Sequence, residues 1–150
     1  IRDVDCGGVA RQAISRVTPT ADAKGVALEA RVPEDFPLCR SDPHRVEQIL
    51  VNLLVNAIRH TPQGKGVQVV VEARDPNVVF IIQDEGPGVP ETDVDRIFDI
   101  YQTKAGEGMK GSGLGLPLSR RLARLLGGEL RAEHRSDGGR FVLELPGPVP

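Results

Sequence analysis

Aromatic residues are nearly missing: the chain has no Trp, one Tyr and four Phe, 3% of its 150 residues. That leaves little to stack on nucleobases. No basic block is present and the formal net charge is −2, so the electrostatic footprint of a nucleic-acid binder is missing too. Cysteine is equally scarce. Cys6 and Cys39 stand far apart and fit no metal-ligand spacing. The expectation is two buried or free thiols, with a disulfide left open. No apolar run approaches the length of a membrane span, and the first residues do not resemble a signal peptide. A cytoplasmic module is expected, which leaves open a membrane anchor elsewhere in a longer parent chain. No internal repeat is visible.

What remains is 39% hydrophobic and 27% charged, at a length that suits one soluble domain with one core. Helical spacing of Val9, Ala13, Ile14 and Val17 predicts a helix from Val4 to about Thr18. Alternation predicts a strand over residues 26–32, closed by a loop at Pro33 and Pro37. Ser41-Asp42-Pro43 reads as a helix start, and that helix runs to His60 before Thr61-Pro62 stops it. Two strands (67–73 and 78–83) flank a turn at Asp75-Pro76-Asn77. A short helix is expected over 91–98, a mobile loop over 104–113, and a helix over 114–126 that Gly127-Gly128 ends. Residues 129–133 and 140–145 read as a closing hairpin. The sum is an α+β, two-layer fold: a mixed sheet with helices on one face, one domain over 1–146 and a tail at 147–150.

The helix from Asp42 to His60 carries the most information. At about 100° per residue, Arg45, Gln48, Asn52, Asn56, Arg59 and His60 share a window of roughly 120°. Nearly all else is apolar: Val46, Leu50, Val51, Leu53, Leu54, Val55, Ala57, Ile58. Such a helix is buried on most sides, so its polar stripe needs a polar partner. Two accounts stay open, a solvated stripe at the surface or the wall of a polar ligand cavity.

Two glycine runs follow. Asp84-Glu85-Gly86-Pro87-Gly88 comes directly after a buried-looking strand. A carboxylate there can accept from an exocyclic amine, and the glycines let backbone approach a flat ring; an ordinary acidic turn is the plainer alternative. Gly111-Ser112-Gly113-Leu114-Gly115-Leu116 opens an amphipathic helix, where exposed N–H groups and the helix dipole favour an anion. No Gly-Lys-Ser/Thr follows, so this is no Walker loop, and it lacks the βαβ context of a dinucleotide fingerprint. A flexible linker is the alternative.

Together these elements resemble the Bergerat-fold ATPases that include gyrase, mismatch-repair ATPases and histidine kinases. Residues 52–62 (NLLVNAIRHTP) resemble the histidine-kinase N box, and residues 84–90 (DEGPGVP) its first glycine box. Residues 96–101 (RIFDIY) resemble a shortened F box, one residue short and lacking the second Phe, and residues 111–116 the second glycine box. Gly127-Gly128-Glu129-Leu130 and Gly138-Gly139-Arg140-Phe141 match the usual ending.

The resemblance implies a site for ATP and Mg²⁺ under a mobile lid. Asn56 would ligate Mg²⁺, and Asp84 would accept the adenine amine with Gly86, Gly88 and Val89 beside it. Arg59 would reach the phosphates, and His60 and Asn52 would lie along the nucleotide. Tyr101, Lys104 and Lys110 would belong to the lid, the lysines neutralising phosphate charge. Gly111, Ser112, Gly113, Leu114, Gly115 and Leu116 would wrap the triphosphate. Asn56, Arg59, Lys104 and Lys110 would then serve phosphoryl transfer.

Four positions before Asn56, the gyrase-like relatives carry a glutamate that activates water. Here Asn52 stands there, and an amide is no general base near neutral pH. The resemblance therefore implies a kinase: the γ-phosphoryl group passes to a histidine on a dimeric bundle upstream, and from there to a response regulator. His44, His60 and His134 are the only histidines, and none has the surrounding acceptor motif. The chain is not expected to phosphorylate itself, and is expected to be monomeric while its parent is a homodimer. A nucleotide-sensing regulator on the same fold is the alternative. A serine-kinase anti-sigma factor would carry Glu in place of Asn52.

Overall fold

The computed structural model describes residues 2–32, 38–99 and 112–147. A short strand, β1 (Arg2–Asp5), turns at once into α1 (Cys6–Lys24). Asp5 caps that helix, its carboxylate accepting from the Gly8 N–H at 3.2 Å. The helix begins two residues later than its apolar spacing suggests, because Val4 is paired with Cys39 in a strand ladder. It also continues past Pro19. Ala21 beyond the proline is buried, and that burial offsets the break. Gly25, at φ 80°, ends the helix, its N–H bonding the Ala21 and Asp22 carbonyls.

β2 (Ala27–Arg31) and β3 (Leu38–Ser41) follow, then α2 (Pro43–His60), β4 (Gly66–Arg74) and β5 (Asn77–Asp84). The short helix expected over 91–98 is two separate 3-10 turns, Glu91–Asp93 and Arg96–Phe98. α3 (Ser112–Leu125), β6 (Glu129–Glu133) and β7 (Arg140–Pro146) complete the described chain. The N–H of Gly147, the first residue of the expected tail, donates to the Pro76 carbonyl at 2.9 Å.

Five strands form one sheet in the order β2-β4-β5-β7-β6. β2 runs parallel to β4 and the other neighbours are antiparallel, which is the expected mixed sheet. The separate β1–β3 ribbon was not expected from the sequence. Each of its strands has four residues, too few for alternation to register.

Alternation along the strands turns Val69, Val71, Phe80, Ile82, Phe141 and Leu143 toward the helices, where they join the main core. α2 fills the middle of it. Val46, Ile49, Leu50, Leu53, Leu54, Ala57 and Ile58 are each at most 1% exposed. Burying each of the larger side chains stabilises the fold by about 2 kcal/mol. Asp42 caps this helix, its carboxylate accepting from the His44 and Arg45 N–H groups at 3.0 and 3.3 Å, with Pro43 in the first turn. Among the described residues, the opposite face of the sheet buries only Val79, Ile81 and Val142, with Val70 against them. Long side chains on that same face cover this strip, among them the Arg131–Glu144 and Arg140–Glu133 pairs at 3.1 and 3.2 Å. Cys6 and Cys39 are free and buried. Among the described residues no helix is long and apolar enough to cross a membrane.

Candidate functional site

Three parts of the chain meet at one end of the sheet: the last turns of α2, the end of β5 at Asp84 with the turn that follows it to Pro90, and the turn between β6 and β7. Between them lies a cavity of about 210 Å³. Asn56 and His60 of α2, Asp84, Pro87, Gly88, Val89 and Pro90, then Ile97, Leu116, Gly139 and Phe141 line it. Sites for drug-sized ligands run about 300–1,000 Å³. This one suits a single flat heterocycle and leaves the rest of a larger ligand outside.

Asp84 is the buried acid of the cavity, 5% exposed. Its Oδ1 accepts from the Gly86 N–H at 2.8 Å and the Gly139 N–H at 3.1 Å. Its own N–H donates to the Gly139 carbonyl at 2.9 Å. Two backbone donors thus hold one oxygen, and Oδ2 stays available to a ligand donor. The glycines here are fixed by close approach. A Cβ on Gly139 would sit 2.7 Å from Asp84 Oδ2, and one on Gly86 would sit 2.4 Å from the His60 carbonyl oxygen. Gly88, at φ 81°, approaches the Gly138 carbonyl, so its first duty is to pack this turn against the β6–β7 turn.

The wall opposite is supported by aromatic contacts. Phe98 meets Phe141 edge to face, with ring centroids 6.2 Å apart, and the Arg120 guanidinium lies 4.4 Å over the Phe98 ring. His134 Nδ1–H donates to the Val89 carbonyl at 3.1 Å and ties the turn to the end of β6. His134 itself lies just past that strand rather than in it.

α2 ends in a dense set of bonds. The Thr61 hydroxyl, fully buried, donates to the Ala57 carbonyl at 2.7 Å, and the Thr61 N–H to the Ile58 carbonyl at 3.2 Å. Lys24 reaches the same end from α1. His60 is exposed at the cavity mouth, yet partial burial of its ring is the main cause holding its pKa below the usual histidine value. The charges of Arg59 and Lys24 push the same way, and Asp84 opposes them.

Of the residues proposed from sequence, the structure brings Asn56, His60, Asp84, Gly88, Val89 and Leu116 to the cavity. Gly86 stands behind the cavity wall. Arg59 is half-buried one position before His60, outside the lining. Asn52 does not line it either: its amide donates to the Ser119 hydroxyl on α3 at 3.2 Å. Gly115 lies in α3 with open space where a Cβ would be. Ser112, Gly113 and Leu114 are described as helical backbone only. Tyr101, Lys104, Lys110 and Gly111, and with them the lid, lie outside the described residues. Ile97, Phe141, Gly139, Pro87 and Pro90 were not foreseen as lining. Only the Gly138-Gly139 doublet offered a signal, as a place where backbone comes close to something.

Residues 41–149 match the family described as histidine kinase-, DNA gyrase B-, and HSP90-like ATPase. The chain is 36% identical over 126 residues to the adaptive-response sensory kinase SasA of a Nostoc species, covering 82% of this chain and 31% of that protein. It is 34% identical over 152 residues to the sensor protein CutS of Streptomyces coelicolor, covering 99% and 36%. Among solved structures, full-length ShkA in complex with AMPPNP superposes with a TM-score of 0.85 at 31% identity, covering 99% of this chain and 31% of that one. The chain thus spans about a third of the length of the curated relatives it matches.

Proposed function

The chain belongs to the histidine kinase-, DNA gyrase B-, and HSP90-like ATPase family, and on that premise we propose that it is the ATP-binding catalytic domain of a sensor histidine kinase. One observation carries the reading. Asp84 is locked by two backbone donors on one oxygen, with the other open, at the wall of a cavity that α2 closes with Asn56.

In this reading the cavity takes the adenine ring, and Asp84 Oδ2 accepts from its exocyclic amine. Ile97, Leu116 and Phe141 supply apolar contact to the ring. The small volume leaves ribose and phosphates outside, toward the exposed His60 and its neighbour Arg59. Arg59 makes no ion pair among the described residues, and its guanidinium is free to bind phosphate oxygens. Among the described residues no three His, Cys, Asp or Glu side chains converge as a metal site. The half-buried Asn56 amide oxygen fits Mg²⁺ held jointly with the nucleotide's phosphates and water. Bound there, the ion would neutralise charge on the phosphates. Lys104, Lys110, Gly111, Gly113 and Gly115 are assigned to the phosphate lid through the family resemblance.

The γ-phosphoryl group would pass to a histidine on a separate dimerisation domain, by positioning and charge neutralisation. That domain, and through it a response regulator, would be the partners in a two-component phosphorelay. The relatives' names, sensory kinase and sensor protein, support this. Asn52, bonded to Ser119, offers no base to activate water, which supports transfer over hydrolysis.

The test is calorimetric titration of a non-hydrolysable ATP analogue, with and without Mg²⁺, into the chain, Asp84→Asn and Asn56→Ala. The expected result is micromolar to sub-millimolar binding, weakened roughly thirtyfold in Asp84→Asn and insensitive to metal in Asn56→Ala. No binding by the unmodified chain would overturn the reading.

A further inference from the structure

Lys24 is the last residue of α1, yet its ammonium sits on the end of α2. Nζ donates to the Ile58 carbonyl at 3.0 Å and to the Arg59 carbonyl at 2.5 Å. These belong to the last four carbonyls that a helix leaves without intrahelical partners, and a cation there also meets the negative pole of the helix. The chain next to Lys24 is strapped to the same place. The Gly64 N–H donates to the Gly25 carbonyl at 2.8 Å, and the Ala27 N–H to the Lys65 carbonyl at 3.0 Å. On the other side, the His60 carbonyl abuts Gly86 so closely that no Cβ fits. The last turn of α2 is therefore gripped from α1 and from the turn after β5, and it carries Arg59 and His60.

We propose that Lys24 is a positioning residue for the nucleotide site: by holding the Ile58 and Arg59 carbonyls it fixes the last turn of α2, and so sets Arg59, His60 and, one turn back, Asn56 relative to the cavity. This rests on the ATP-binding reading above. Lys24 does not line the cavity, and two of its three N–H donors are engaged with the helix end. Its charge is also one of the two cationic influences on His60, with Arg59, while Asp84 acts in the opposite sense. That makes His60 a reporter of whether Lys24 is in place.

The experiment compares the unmodified chain with Lys24→Met and Lys24→Arg. Affinity for the ATP analogue is read by calorimetry, the titration of His60 by NMR, and the folded fraction by urea unfolding of the same samples. The expected result for Lys24→Met is binding weaker by about fivefold or more in protein that is folded, since small misplacements of binding groups are costly. His60 should also titrate at higher pH, and Lys24→Arg should restore both. A folded Lys24→Met that binds as tightly as the unmodified chain overturns the proposal, as does a loss accounted for by the unfolded fraction alone. Should Lys24→Met not fold, Lys24→Gln keeps an amide NH₂ donor group without the charge and is read in the same way. Absence of binding by the unmodified chain is a different failure: it removes the ATP-binding reading, and this inference with it.

Discussion

The side-chain amide of Asn52 on α2 donates to the Ser119 hydroxyl on α3, and Ser119 is fully buried. One turn along the same stripe, Asn56 lines the cavity. The polar face of α2 is thus divided: one amide joins two helices and the next faces the cavity. Ser119→Ala leaves the Asn52 donor without its partner. The expected cost is about 1–2 kcal/mol, read as a lower urea midpoint with an unchanged slope.

The same bond bears on catalysis. With Asn52 engaged and carrying no base, phosphate release from ATP should stay at the buffer blank in a coupled assay. Release above the blank that disappears in Asn56→Ala would contradict this.

Asp84→Asn tests the acid separately from the turn it sits in. An amide oxygen can still accept from Gly86 and Gly139, so urea stability should change little. The amide NH₂ then faces the cavity, where a donor meets a donor. Analogue affinity should fall by about 2 kcal/mol, or roughly thirtyfold.

Two glycines separate strain from crowding. Gly64, at φ 89°, has nothing within 4 Å of a Cβ, while Gly86 would collide with the His60 carbonyl. Gly64→Ala should cost about 1 kcal/mol through backbone strain and leave binding unchanged. Gly86→Ala should cost about 1–3 kcal/mol through overpacking and weaken binding as well, because it pushes on the end of α2.

His60 gives the chain a pH dependence of known sign. Its folded pKa lies below the unfolded value of 6.5, mainly through burial of the ring. The unfolded state therefore binds the proton more readily. Its contribution to stability falls as pH drops through 6.5 and levels off below the folded pKa. The urea midpoint of the unmodified chain relative to that of His60→Gln should fall as pH drops through 6.5. A parallel pair of curves would refute the assignment.

Much of this was legible in the sequence because it is local. α2 announced itself through a cap at Asp42 and a full apolar face, and Asp84 through its place between a strand and two glycines. The failures are long-range. β1 depends on Val4 meeting Cys39, and helical spacing absorbed Val4 instead. α1 passes Pro19 because Ala21 beyond it is buried, a fact of packing rather than propensity. Asn52 and Asn56 share one stripe, and only the position of Ser119 tells them apart. Phe141 reads as an ordinary strand residue until β7 lies beside β5.

Asp84 takes one of its two supports from a residue 55 positions later. During synthesis, Asn56 and Asp84 leave the ribosome well before Gly139 and Phe141 do. A nascent chain that stops short of β7 has the acid and the amide without the backing that aims them. The cavity is therefore walled only once β7 is in place, and a product truncated before Gly139 would lack both the second support of Asp84 and the Phe141 side of the cavity.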